Sequence, residues 1–196
     1  MPSSAVALLA ALLAQPAAST TPRDAVVVER VLAVVERRPV LLSEVRLMEQ
    51  LRNVDERAAL ELLIDELLMY AEARRFAQTR PSPAEEAAAT ASLTRQGLQG
   101  ASSAELRRVA QRQATIVKYV ALRLRPLARV SDEAVRQACE DAQGRAAGST
   151  ARAANAADIR EQLVQREVDL RVEEWVRRLR ESANVDYPER LAEPAP

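Results

Sequence analysis

Val31–Val45, VLAVVERRPVLLSEV, decides how this chain folds. Val31, Leu32, Ala33, Val34 and Val35 form an unbroken apolar run, and three of the five are β-branched, which suits a pleated backbone. Pro39 fixes its own φ and pushes Arg38 out of the helical region, so the chain turns across Glu36–Pro39. Val40, Leu41 and Leu42 form a second short apolar run. Ser43 then stands where a helix N-cap is expected, with Glu44 in the first turn at the positive end of the helix dipole. A hairpin this small is not stable alone. Leu32 and Val34 alternate with Val31, Ala33 and Val35, so the hairpin is apolar on both faces and needs cover on both.

Everything that follows reads as helix. The first helix is expected over about Ser43 to Asn53, with Val45, Met48 and Leu51 on one face. The second, near Glu56 to Phe76, carries Leu60, Leu63, Ile64, Leu67, Leu68 and Ala71 at helical spacing. Leu62, Met69 and Tyr70 widen that stripe until only Glu61, Asp65, Glu66 and Glu72 keep part of it polar, which places this helix near the centre of a bundle. Ser82 and Glu85 form a capping box with Pro83 at the first helical position, opening an alanine-rich helix that ends at Gly97. Ser102 and Glu105 repeat the box ahead of a stripe of Leu106, Val109, Ala110, Gln113, Val117, Val120, Ala121 and Leu124, closed by Pro126. A short helix is expected from Ser131, with Val135, Ala138 and Cys139 inward. Gln143–Asn155 has no apolar period and reads as a linker. The last helix starts near Asn155 with Val164, Val168, Val172, Trp175, Val176, Leu179 and Ala183 as its stripe. Val185 and Tyr187 allow a short final strand, and 188–196 reads as a flexible tail. The expected fold is therefore mainly α: about six helices, with a small β-sheet formed by the N-terminal hairpin and the C-terminal strand.

Composition excludes several chemistries. The chain has 196 residues, and its 28 basic and 28 acidic residues balance, so no global charge points to nucleic acid or an anionic membrane. There is no histidine, hence no imidazole acid–base pair, triad or metal ligand. Cys139 is the single cysteine, which rules out an intramolecular disulfide and a multi-cysteine zinc site. The four glycines form no phosphate-binding fingerprint. Neither a cofactor nor a metal is expected.

Ala5–Ala14, AVALLAALLA, has the length of a signal-peptide core, and a bilayer span needs roughly 20 apolar residues, so stable membrane insertion is not expected. Ala17 and Ser19 fit the −3 and −1 positions of a cut before Thr20. The reading is a signal peptide over 1–19, one domain over 24–187, and a periplasmic location.

The hairpin-plus-helix VLAVVERRPVLLSEV, followed by ALELLIDELLMYAEARR (Ala59–Arg75), resembles the N-terminal domain of SurA-type periplasmic chaperones. VSDEAVRQACED (Val130–Asp141) is similar to the segment that leads into that family's first parvulin-type isomerase domain. Ile159–Tyr187 is similar to the family's closing helix and strand, which pack back on the N-terminal domain. The resemblance implies an ATP-independent holdase that binds unfolded envelope and outer-membrane polypeptides. This chain departs from the family in one decisive place. Only Gln143–Asn155 lies where isomerase domains would be, too short for a domain of at least about 50 residues, and the histidines of a parvulin site are absent. The expectation is therefore a binding protein without prolyl isomerase activity, not an enzyme. The competing reading is a non-catalytic structural or partner subunit of an envelope assembly complex. Two smaller departures are a hairpin turn without Asn-Gly residues and Asn184 at a place in the closing strand that is often aromatic.

Ala88 and Ala91 on the alanine-rich helix, with Leu67, Tyr70, Val117 and Trp175, are the candidate peptide-binding residues. The alanines either leave a groove between neighbouring helices or allow close packing. Trp175 is either core or a rim contact. Met48 and Met69 are either core or part of an adaptable binding surface. Cys139 is either a small buried hydrophobe or a redox thiol. The Arg/Glu alternation of 160–180 reads as a solvated face. Export carries its own test: mass spectrometry of protein from the native envelope should find the mature N-terminus near Thr20, and an intact Met1 in a cytosolic fraction would refute it.

Overall fold

A computed structural model describes residues 29–146 and 155–188. The proposed signal peptide, positions 147–154 of the proposed linker and 189–196 of the tail lie outside the described residues. The described fold is mainly helical with a small antiparallel sheet, as the periodicities predict. In chain order it comprises β1 (Val31–Val35), β2 (Arg38–Leu41), α1 (Leu42–Arg52), α2 (Glu56–Ala73), α3 (Pro83–Arg95), α4 (Ser103–Tyr119), α5 (Asp132–Ala146), α6 (Ala156–Ser182) and β3 (Val185–Asp186). Short 3-10 turns at Ala77–Thr79 and Arg125–Leu127 and a widened π turn at Val120–Leu124 complete it. The widened turn ends against Pro126, which has no N–H to donate.

The sheet order is β2-β1-β3, with β1 antiparallel to both neighbours. Val31 pairs with Leu41 and Ala33 with Val40, so Leu32 is an extra residue, a bulge in β1. Strict alternation would put Leu32 and Ala33 on opposite faces, yet both are buried. The bulge corrects the two-faced reading: Val31 is exposed and Val34 only half-buried, so the outer face needs little cover. Inside, Leu32, Ala33, Val35 and Val40 pack with Val45 and Met48 of α1 and Leu63, Ile64, Leu67 and Leu68 of α2.

The hairpin turn carries strain. Glu36 has φ 56° and Arg37 φ 104°, the pattern of a two-residue primed turn that favours Asn-Gly. A side chain held at positive φ costs on the order of 1–3 kcal/mol, and the rest of the fold must overcome it. β3 supplies part of the constraint: Glu36 N–H donates to Asn184 O at 3.0 Å, and Asn184 N–H donates to the Glu36 carboxylate at 2.9 Å. Asn184 thus fastens the closing strand.

Helix boundaries follow capping chemistry, with one correction. Leu41, not Ser43, is the extended N-cap residue of α1, and its N–H donates to Glu44 Oε2 at 3.3 Å. Ser43 lies inside the first turn, where its N–H and hydroxyl both donate to Glu29, at 3.2 and 2.6 Å. The Ser43 hydroxyl is the main reason the Glu29 carboxyl sits below its ordinary pKa. Asp55 caps α2 by accepting from Ala58 N–H at 2.8 Å. The Ser82/Glu85 and Ser102/Glu105 boxes and the Asn155 cap form where the sequence places them. Gln143–Ala146, assigned to the linker, continue α5.

The stripe of α4 keeps Leu106, Val109 and Ala110 of the expected one and departs from it in the second half of the helix. Its buried residues are Leu106, Val109, Ala110, Arg112, Thr115 and Tyr119, whereas Val117 is 66% exposed. The cause is Glu66 of α2, which is buried and accepts from buried Arg112 Nε, with Gln113 Nε2 on its second oxygen at 3.4 Å. At the far end, Tyr119 stacks on Trp175 of α6 with ring centroids 4.5 Å apart. α6 returns along α2, where Arg180 clamps it: Nε donates to Asp65, Nη1 to Glu61 Oε2 at 2.6 Å and Nη2 to Glu61 O at 2.8 Å. Burial pulls the Arg180 pKa down, but these acceptors outweigh it and hold it above the ordinary value.

A buried ion pair is costly to break and cheap to replace. Glu66→Gln or Arg112→Met alone should destabilise by about 3–5 kcal/mol, and Glu66→Leu with Arg112→Met together should cost far less. Denaturant unfolding of the three variants checks this; three equal losses would show that packing, not charge, governs the site.

Candidate peptide-binding grooves

Two mainly apolar grooves are open on the described surface. The first lies between α1, α2 and α6 and has a volume of about 520 Å³. Met48, Leu62, Met69, Val172 and Val176 give it apolar walls, and Arg52, Asp65, Glu66, Glu173, Arg177 and Arg180 line it as well. It exists because α2 presents apolar residues around most of its circumference, while α6 touches it at the Arg180 clamp and Leu179 on one side and at Trp175 against Ala73 on the other. Leu62 is 40% exposed as a result. Met48 is held in the core, and Met69, half-buried, unbranched and polarizable, is the adaptable part of the wall.

The second groove lies between α3 and α4, with a volume of about 450 Å³, and includes Ala88, Ala89, Leu93, Ala114 and Val117. Both readings of the alanine-rich helix apply, since Ala89 and Leu93 both pack in the core beside α4 and border the groove. Leu93 and Ala89 pack closely with Leu106, Val109 and Ala110, while Ala88 opens on the groove. Lys118 and Glu85 close one end through an ion pair of 2.8 Å, and Lys118 also donates to Arg80 O at 3.2 Å.

The candidate residues divide among four environments. Ala88 and Val117 share the α3–α4 groove. Ala91 is exposed and does not line it. Leu67 is buried, and with Tyr70 it borders a separate pocket beside the hairpin turn. Trp175 is buried against Tyr119, so a rim contact is corrected to core: the ring stack and Ala73 cover it. Met48 is core, and half-buried Met69, 21 positions later, lines the groove beside it. Cys139 is half-buried on α5. Among the described residues no cluster of three or more His, Cys, Asp or Glu side chains is arranged to hold a metal ion. No helix among them is long and apolar enough to cross a membrane.

Glu85 links the groove to a measurable titration. Its carboxylate accepts from Lys118 Nζ, and from Ser82 N–H at 2.6 Å. Lys118 first, then Ser82, bring its pKa down from 4.5 to about 2. A carboxylate depressed in this way contributes stability that is present above 4.5 and lost as the pH falls through about 2. Carboxyl-carbon NMR should find Glu85 still ionised well below pH 4.5, and Lys118→Met should move its midpoint back toward that value. An unshifted midpoint in the parent protein would mean that the ion pair does not form in solution.

The chain matches no protein-family model, and no curated protein is significantly similar to it.

Proposed function

We propose that this chain is an exported, ATP-independent holdase of the SurA type that binds unfolded envelope polypeptides and lacks prolyl isomerase activity. The observation that carries the reading is the methionine groove between α1, α2 and α6, open and mainly apolar, with Leu62 exposed and Met69 half-buried in its wall. Burial of apolar surface is worth roughly 25 cal/mol per Å², so a few client side chains in such a groove give weak, reversible binding. Side-chain recognition without a fixed polar pattern suits many sequences, as a client-binding protein requires. Arg52, Glu173 and Arg177 at the groove offer both donors and acceptors to the backbone of an extended segment. The α3–α4 groove is a secondary surface of the same kind. The location in the periplasm rests on the apolar run of Ala5–Ala14 and the cut before Thr20.

The test is aggregation of several unrelated unfolded outer-membrane proteins, with prolyl isomerisation of a reporter peptide measured in parallel. The protein should slow aggregation at near-stoichiometric ratio and leave isomerisation rates unchanged. Leu62→Glu with Val176→Glu should abolish most of the effect, and Ala88→Glu with Val117→Glu should weaken it less. Equal aggregation rates with and without the protein, across all clients, would remove the chaperone reading in favour of a subunit with one fixed partner.

A further inference from the structure

A pocket of about 520 Å³ lies where the hairpin turn, the C-terminal half of α2 and α4 meet. Five arginines line it: Arg37 and Arg38 from the turn, Arg74 from the end of α2, and Arg108 and Arg112 from α4. Val35, Leu67, Leu68, Tyr70 and Ala71 provide apolar surface beside them. Such convergence is unexpected in a chain whose charges balance overall.

The charges inside the pocket do not balance. Arg112 is paired with Glu66, and Arg38 with Glu44 at 2.6 Å. Glu36 is the one acid lining the pocket, and its carboxylate accepts from Asn184 N–H. Glu105, which feels Arg108, is committed to the Ser102 cap. Arg37, Arg74 and Arg108 make no ion pair among the described residues; Arg74 lies 6.0 Å from the Tyr70 ring centroid. Burial lowers the Arg38 pKa, and the nearby guanidinium groups of Arg112 and Arg108 lower it further, against the pull of Glu44. The cationic groups are therefore close enough to repel one another.

The turn adds an independent observation. Outside the hairpin turn, positive φ among the described residues falls at Gly97 (φ 67°), Gly100 (φ 74°) and Asn53 (φ 53°), residue types that tolerate it. At φ 104° the hairpin uses arginine, and that side chain lines the pocket. Strained residues kept against a more stable alternative cluster at binding sites, where the side chain supplies what glycine lacks.

We propose that this pocket binds a small organic anion, one carboxylate or phosphate carried on an apolar group, with Arg37, Arg74 and Arg108 on the oxyanion and Leu67, Leu68 and Tyr70 against the apolar part. Guanidinium groups suit both oxyanions because their planar forks donate paired hydrogen bonds. The site is on the other flank of α2 from the methionine groove and does not depend on the chaperone reading.

Isothermal titration calorimetry of the full chain tests it, using phenyl phosphate, 4-phenylbutyrate, neutral 4-phenylbutyramide and inorganic phosphate as probes. At least one of the two amphipathic anions should bind at a single site, and the tighter one names the oxyanion. The amide and inorganic phosphate should bind at least about tenfold more weakly, the loss expected when a charge-assisted hydrogen bond or the apolar contact is removed. Arg37→Gly should weaken binding by about tenfold yet raise the melting temperature by about 2–4 °C, because it relieves the turn. Arg37→Ala should weaken binding without that gain, which separates strain from charge. Arg108→Ala, on an exposed face of α4, should weaken binding with the fold intact. The proposal is overturned if neither anion binds more tightly than the amide, if inorganic phosphate binds as tightly as phenyl phosphate, or if Arg37→Gly and Arg108→Ala both bind like the parent protein.

Discussion

The central strand needs hydrogen-bonding partners along both edges, and the fold is built around meeting that need. β2 supplies one edge across a tight turn. The other is met by Val185 and Asp186, which pair with Val35 and Val34 from some 150 positions away. Unpaired backbone groups beside a core cost as much as lost hydrogen bonds, so the chain must return to its start. α6 makes that return. Its path is set by Arg180 on Glu61 and Asp65, by Trp175 on Tyr119, and by the Tyr187 hydroxyl donating to Glu61 at 3.1 Å. Sheet and bundle are for this reason packed together through α6.

α2 is the element every other layer uses. One side meets the sheet, another α1, a third α4 and a fourth α6. A helix with so many neighbours has no fully solvated face, and Glu66 is buried because of it. A lone buried carboxylate would be prohibitive, and Arg112 answers it from α4. With Arg112, Thr115 and Tyr119 inward, the second half of α4 leaves Val117 facing solvent in the α3–α4 groove.

The helices and their starts were legible because capping is local. Ser82 and Glu85, or Ser102 and Glu105, meet within one turn whatever the rest of the chain does. The start of α1 was not, because Ser43 is held by Glu29, and fourteen positions of separation leave no local signature. Leu32 departs from alternation for a related reason: one bulged residue reverses the facing that alternation implies. The burial of Arg112 in α4 lay beyond periodicity, which assigns arginine outward by default. Of the candidate site residues, Ala88 and Val117 come together and Trp175 turns inward, since a stripe on a long helix does not reveal which partner covers which turn. The two methionines were visible as a type of residue, and their meeting depended on how α1 crosses α2.

The same ion pair constrains what the two flanks of α2 can do. Glu66 lines the methionine groove, and its partner Arg112 lines the arginine pocket. An anion that captured Arg112 would leave Glu66 buried and unpaired, at a cost of several kcal/mol. No small oxyanion on a partly open surface repays that. Binding in the pocket must therefore use the exposed cations, Arg37, Arg74 and Arg108, and leave Arg112 as a fixed wall. The apolar groove is constrained in the same way. A client segment that displaced Glu66 would strip Arg112 of its partner, so occupants must seat on Leu62, Met69 and Val176 while the pair stays closed. The interaction that stabilises the bundle thereby keeps the two surfaces separate.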